Sequence, residues 1–151
     1  MSNSKIMFRF LLILASIVLL SGCQQEKGSP SGSTKDGVFI HVSNGTNDPH
    51  RVLMALNMAA IMAEDRDVLV YFDVKGVEVV LNNAIDLQFG HFTSSMTQIK
   101  KLLDKDVQLV VCPGCLKTIG KSEEDVIDGV QIANKEAFFN FTKGRILTLD
   151  Y

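Results

Sequence analysis

Two cysteines separated by two residues, Cys112 and Cys115, are the residues whose types and spacing most directly suggest chemistry. They follow a short apolar run and precede a segment that ends at Gly120. Such a pair can form half of a metal site, a redox couple, a sulfur carrier, or two small side chains that fill a core. The residues around the pair distinguish among these four interpretations.

Metal and haem sites fit the cysteine pair poorly. A structural zinc site needs four ligands, and the histidines show no paired spacing. Attachment of a c-type haem requires a histidine directly after the second cysteine, where this chain has Leu116. A thioredoxin domain carries its pair early and a cis-proline later, whereas no proline follows Pro113. We therefore predict no metal ion and no cofactor.

The position of the pair is expected to activate its thiols. The run Val107 to Val111 predicts a strand, and Pro113 suits the first turn of a helix, so Cys112 would cap that helix. Unpaired N–H groups and the positive end of the helix dipole favour thiolate over thiol. Gly114 would let a ligand or partner approach the backbone. Two buried cysteines that only fill space remain the alternative.

The N-terminus resembles a bacterial lipoprotein signal. Lys5 and Arg9 precede an apolar run from Phe10 to Leu20, which is too short to span a bilayer comfortably. The chain then reads Leu-Ser-Gly-Cys, ending at Cys23. We expect residues 1–22 to be a signal peptide that is removed, and Cys23 to carry a palmitate-type lipid anchor.

Lipidation would place the protein in the cell envelope, with its domain in the periplasm or another extracytoplasmic space. Residues 23–36 comprise the lipidated cysteine and a Ser/Gly/Lys-rich stretch that we predict to be a flexible tether. The folded domain is then predicted to cover residues 37–151. The chain has 15 basic and 17 acidic side chains and no Lys/Arg cluster, so nucleic acid is not an expected partner.

Strands alternate with helices along the predicted domain, which indicates an open α/β sheet with helices on both faces. Further strands are predicted at Val38–Val42, Asp67–Val74, Val130–Ile132 and Ile146–Leu149, and helices at His50–Glu64 and Ser95–Asp104. The segment between the second strand and the second helix fits either a short strand or a helical turn. In such folds ligands gather at the carboxyl ends of the strands, so we predict a small-ligand site there formed by Asn44, Asn47, Asp48 and Gly114.

The helix predicted at His50–Glu64 is apolar almost all round, because only Asn57 is polar between Val52 and Ala63. Such a helix is buried on more than one side, so we expect another subunit to cover its outer face. Three methionines form a stripe along it, which we attribute to packing rather than to copper binding: Met54, Met58 and Met62.

Three stretches resemble the DsrE/DsrF-like family of sulfur-relay and YchN-type proteins: "FIHVSNGTNDPHRVLMALNMAAIM", "DVLVYFDVKGVEVV" and "DVQLVVCPGCLKTIGKSEEDVIDGVQIA". The resemblance covers Gly37 to Tyr151. It implies a three-layer α/β/α domain with a mainly parallel five-stranded sheet, assembled as homo-oligomeric trimers or hexamers. By position, Cys112 matches the cysteine that accepts a persulfide in sulfur-relay members, and Cys115 matches the extra cysteine of the Cys-x-x-Cys subgroup.

These observations favour a membrane-tethered thiol protein that carries sulfur or electrons. Cys112 would be the nucleophile or persulfide carrier, Cys115 would resolve the intermediate, and a thiol or persulfide protein would be the partner. The alternative is a non-catalytic, oligomeric ligand-binding or assembly module of the same fold. Lys117 and His91 are interpreted as solvated surface residues in either case.

Overall fold

The computed structural model describes residues 34–151, so the predicted signal peptide, Cys23 and most of the predicted tether lie outside the described residues. The described part contains one parallel five-stranded sheet in the order β4-β3-β2-β1-β5. Its strands are β1 (Gly37–Val42), β2 (Asp67–Phe72), β3 (Gln108–Val111), β4 (Gln131–Ile132) and β5 (Ile146–Asp150). Its α-helices are α1 (Pro49–Met62), α2 (Ser95–Leu103), α3 (Pro113–Thr118) and α4 (Lys135–Asn140).

Helices cover both faces of the sheet. Because successive residues of a strand point to opposite faces, each strand contributes apolar side chains to both helix layers. On one face, apolar side chains of β1, β2 and β3 form the main core with α1, α2 and Leu116 of α3. On the other face, a smaller cluster joins Leu69 and Val110 to Ala137 of α4. The predicted three-layer α/β/α fold with a five-stranded sheet is confirmed, and all the strand pairs are parallel.

Local signals account for most element boundaries. Asp48 caps α1, its carboxylate accepting a hydrogen bond from the N–H of Arg51 at 3.2 Å, and Pro49 takes the first helical position. The strand β2 ends at Phe72 rather than at Val74, because Val74 adopts a left-handed conformation with φ of 45°. The ambiguous segment after it begins with a 3-10 turn, Gly76–Val80.

The helix α1 buries one side and leaves the other open within the single chain. Its buried residues are Val52, Leu53, Ala55, Leu56 and Ala59. Met58 and Met62 pack against the core, whereas Met54 and Ile61 are 38% and 50% exposed.

No helix in the described part of the chain is long and apolar enough to cross a membrane.

Candidate functional site

Cys112 lies at the junction between β3 and α3, as the sequence predicts. Its extended backbone ends the strand, and Pro113 starts the helix. The sulfur of Cys112 accepts a hydrogen bond from the N–H of Cys115 at 3.3 Å, so the side chain itself caps α3. This contact aims a backbone donor at the sulfur atom that would carry negative charge.

Cys115 lies one turn inside α3 and contacts the loop that follows β2. Its sulfur accepts a hydrogen bond from the N–H of Val74 at 3.3 Å. Val74 is β-branched, so its left-handed backbone is a true conformational outlier that costs roughly 1–3 kcal/mol. The strained residue is therefore the one whose N–H faces the second sulfur of the pair.

The two thiols have opposite electrostatic environments. Burial raises the pKa of Cys112, but hydrogen bonds from the Cys115 thiol, the Tyr71 hydroxyl and the N–H groups of Cys115 and Gly114 outweigh it and leave that pKa below its ordinary value. Burial, the neighbouring Cys112 and the charge of Asp73 raise the pKa of Cys115, although the N–H of Val74 opposes them. The pKa of Cys112 is thus lowered and that of Cys115 raised, so Cys112 is the sulfur that ionises first.

A second group of polar side chains lies beside the cysteines on the α4 face of the sheet. The imidazole of His41 contacts two carboxylates, Asp150 Oδ1 at 2.5 Å from Nδ1 and Asp73 Oδ1 at 2.8 Å from Nε2. The ring of His41 stacks on Tyr71, with 5.7 Å between centroids and 21° between planes. The strand β2 pairs Tyr71 with Val110 of β3, two residues before Cys112.

Sequence reasoning missed this second group. The spacing argument treats the histidines, His41 among them, only as possible zinc ligands, and it gives no role to Tyr71, Asp73 or Asp150. The structure brings them together through strand register, since β1 pairs His41 with Tyr71 on one side and with Asp150 on the other. A titratable residue inside an apolar strand, as in the "FIHV" run, is the local signal that could have identified the group.

The predicted ligand residues of the β1–α1 loop lie at the same edge of the sheet but bond to one another. Asn47 donates its side-chain amide to Asn44 Oδ1 at 2.8 Å and accepts from the N–H of Gly45 at 2.9 Å, and Asp48 caps α1. The loop packs closely on the β2 loop, because a Cβ added to Gly45 would lie 2.3 Å from the carbonyl oxygen of Lys75. Ligand binding by these residues stays a prediction.

The remaining candidate residues differ in their distance from the thiols. Gly114 is adjacent to them, since a Cβ built on it would lie 3.8 Å from the Cys112 sulfur. Lys117 and His91 are exposed, and His91 stacks on Phe92 rather than on a residue of the cysteine site. In the described part of the chain, no group of three or more His, Cys, Asp or Glu side chains is arranged to hold a metal ion.

The cysteine site lies on an accessible surface. Both Cys112 and Cys115 are partly exposed and neither is in a disulfide. Two clefts of the described domain lie at the opposite end of the sheet, where Asp67 begins β2 and Gln108 begins β3. The sulfurs of Cys112 and Cys115 are therefore accessible to a thiol group of another macromolecule.

A parallel sheet with a thiol pair at the carboxyl end of one strand defines an α/β protein with a candidate cysteine site. A model of the DsrE/DsrF-like family matches residues 36–146, and the chain belongs to that family. A comparison with curated proteins finds no significant match.

Two solved structures resemble the domain. The ychN protein from E. coli is 18% identical, with a TM-score of 0.60, and the match covers 76% of this chain and 99% of that one. MTH1491 from Methanobacterium thermoautotrophicum, a protein of unknown function, is 15% identical, with a TM-score of 0.55, and the match covers 75% of this chain and 98% of that one. These similarities establish the fold.

Proposed function

We propose that this protein is a membrane-tethered sulfur carrier that holds a persulfide on Cys112 and resolves it with Cys115. The single observation that supports this most strongly is the position of the Cys112 sulfur at the cap of α3, where it accepts the N–H of Cys115 at 3.3 Å and lies one helical turn from that second thiol. A lowered pKa supplies the thiolate needed for attack, and a protonated neighbour prevents both sulfurs from carrying charge together. Family membership is consistent with sulfur-relay chemistry.

The proposed reaction has two balanced steps. The thiolate of Cys112 attacks the outer sulfur of a persulfide or polysulfide donor, the donor S–S bond breaks, and the donor leaves as a thiolate. Cys115 then loses its proton and attacks the inner sulfur of the Cys112 persulfide, which forms the Cys112–Cys115 disulfide and releases hydrosulfide. A dithiol reductant of a partner protein returns the disulfide to two thiols, so the same pair could also carry electrons.

Intact mass before and after polysulfide treatment tests the sulfur-carrier proposal. In the purified protein, polysulfide is expected to produce the Cys112–Cys115 disulfide, seen as a loss of two hydrogens. Cys115→Ser removes the resolving thiol, so this variant is expected to gain the mass of one sulfur atom on Cys112. Unchanged masses for both proteins would contradict the proposal.

Membrane tethering through Cys23 forms part of the same proposal. The lipoprotein-like signal supports it, because an apolar run and small residues precede that cysteine in the order required for lipid attachment. The mature protein isolated from a lipoprotein-processing bacterium should lack residues 1–22 and carry an acylated Cys23. A product that keeps an unmodified Met1 would rule out the anchor and the envelope location.

We further propose that the domain assembles as a homo-oligomer, a trimer or hexamer. The exposed side chains of Met54 and Ile61 on α1 support this, because contact with a second subunit would remove them from water. Light scattering at micromolar concentration should report a multiple of the chain mass, and Ile61→Lys should shift it toward the monomer. A monomeric unaltered protein would exclude the interface.

A further inference from the structure

We propose that Val74 is a catalytic residue of the resolving step, in which its backbone N–H stabilises the thiolate that Cys115 forms before it attacks Cys112. The inference rests on the proposed function, since it assigns a role in the second step of that reaction. The contact that supports it is a hydrogen bond, donated by the N–H of Val74 to the sulfur of Cys115 at 3.3 Å. The two residues are 41 positions apart in the sequence, so the fold rather than local spacing brings them together.

The donor is directed at the sulfur by an unfavourable backbone conformation. Val74 has a φ of 45°, in the left-handed region that β-branched residues avoid. Its side chain is 60% exposed, so burial of the isopropyl group does not account for this conformation. Outliers of this kind persist where the surrounding structure imposes them, and they cluster at reactive sites. At Val74 the imposed conformation comes with a backbone donor on the second thiol.

Backbone hydrogen bonds hold Val74 from both sides. The N–H of Asp73, the preceding residue, donates to the carbonyl oxygen of Val42 at 3.2 Å. The N–H of Lys75, the following residue, donates to the carbonyl oxygen of Ser43 at 3.2 Å. Residues 73–75 are therefore attached to the end of β1 on either side of the donor, which fixes its direction before the reaction begins.

The resolving thiol needs such a donor. Burial, the neighbouring Cys112 and the charge of Asp73 raise the pKa of Cys115, and the N–H of Val74 opposes them. A backbone N–H carries no net charge and does not titrate, so it keeps this effect over the whole working pH range. The titratable groups around the contact lie on α3, the loop after β2, β1 and β5: Cys112, Asp73, Lys75, His41 and Asp150.

The charge that Val74 stabilises arises at the start of the resolving step. The Cys115 thiol gives its proton to solvent, and the thiolate attacks the sulfur of Cys112. The new S–S bond forms while the bond from Cys112 to the outer sulfur breaks, and hydrosulfide leaves with the electron pair. A hydrogen-bonded thiolate is more abundant below its pKa and only partly less nucleophilic, so the net rate rises.

An amide-to-ester substitution at Val74, the Val74 ester, tests the role because it removes the N–H and keeps the side chain. The probe is one equivalent of a symmetric aromatic disulfide, added to full-length protein in which Cys23→Ser leaves the pair as the only thiols. Cys112 opens the probe and releases one aromatic thiolate in a first phase. Cys115 then attacks the Cys112 sulfur and releases the second, and absorbance records both phases.

The second phase is expected to slow about threefold at pH 7 in the Val74 ester, and its pH profile should move upward by about one pH unit. A hydrogen bond to a charged group changes ionisation about tenfold or more, and the higher nucleophilicity of the more basic thiolate restores about threefold of this loss. The first phase should keep its rate, because the missing N–H faces the sulfur of Cys115.

Two matched variants separate the donor from the loop that carries it. An ester at Lys75 removes a neighbouring N–H, which donates to Ser43, and leaves the N–H of Val74 in place. Val74→Gly keeps the N–H and accepts a φ of 45° without strain. Both variants should keep the second-phase profile of the unaltered pair, and thermal unfolding shows that each protein is folded.

An unchanged second phase in the Val74 ester would overturn the catalytic role. An equal upward shift in the Lys75 ester would overturn it too, since loosening of the loop would then be the cause. An upward shift in Val74→Gly overturns the role even if the Val74 ester does not fold.

The test uses no sulfur donor, so failure of this role and failure of the proposed function are distinguishable. A protein that takes up no sulfur from polysulfide but whose second phase depends on the Val74 N–H would contradict the sulfur-carrier function alone. A protein that carries sulfur on Cys112 but whose second phase ignores that N–H would contradict the role of Val74 alone.

Discussion

Cys112→Ser is expected to abolish sulfur uptake from polysulfide, with no disulfide and no added sulfur in the intact mass. The physical reason is that, although burial opposes it, the neighbouring Cys115 and Tyr71 side chains and the N–H groups of Cys115 and Gly114 lower the pKa of Cys112, so serine removes the more easily ionised of the two thiols. In this variant burial and the charge of Asp73 still raise the pKa of Cys115, so Cys115 should not replace the missing nucleophile.

The matched control for that loss is Cys115→Ser. This variant keeps Cys112 and is expected to take up sulfur and to retain it. Uptake of sulfur by Cys112→Ser at a rate comparable with the unaltered protein would show that Cys115 is the carrier, and would reverse the proposed roles.

Gly76→Ala is expected to lower the free energy of unfolding by about 1–3 kcal/mol, the cost typical of forcing a methyl group into a packed site. A Cβ at this position would lie 2.0 Å from the carbonyl oxygen of Val42 and 2.9 Å from its carbon, and both are backbone atoms that cannot rotate away. Gly76 also donates its N–H to the carbonyl of Asp73 at 2.6 Å, so the strain falls on the turn that carries Val74. Urea denaturation measures the change.

The control for Gly76→Ala is Gly114→Ala. A Cβ on Gly114 meets only the Cys112 sulfur, at an ordinary contact distance of 3.8 Å, and alanine is favoured over glycine in a helix. Its stability should match or slightly exceed that of the unaltered protein. If Gly76→Ala were as stable as the unaltered protein, the prediction would be wrong. The carboxyl ends of β1 and β2 would then be able to move apart at no cost in free energy.

The fold could be predicted because its signals are local. Apolar runs identified the five strands, Asp48 and Pro49 marked the start of α1, and Pro113 placed Cys112 at the cap of α3. The helix α4 was missed because it has only six residues, although Asn134 caps it by accepting a hydrogen bond from the N–H of Ala137 at 3.0 Å. Short helices depend on tertiary packing more than on periodicity.

The cysteine pair could be predicted, but its surroundings could not. His41 and Asp150 are 109 positions apart and meet only because β1 and β5 pair in one register. The left-handed backbone of Val74 could not be predicted for a different reason. A β-branched residue disfavours this conformation, which persists only because the surrounding structure holds it. The hydrogen-bond partners that separate the two thiols therefore required the three-dimensional structure.

The most direct test of the thiol asymmetry is a site-resolved alkylation race in the folded, unaltered protein at neutral pH. Cys112 is expected to react first and faster than a free cysteine, whereas Cys115 reacts slowly. A chelator should not change either rate. If Cys115 reacted first, or if both thiols stayed unreactive until the protein unfolded, Cys112 would not be an activated nucleophile and the sulfur-carrier proposal would be contradicted.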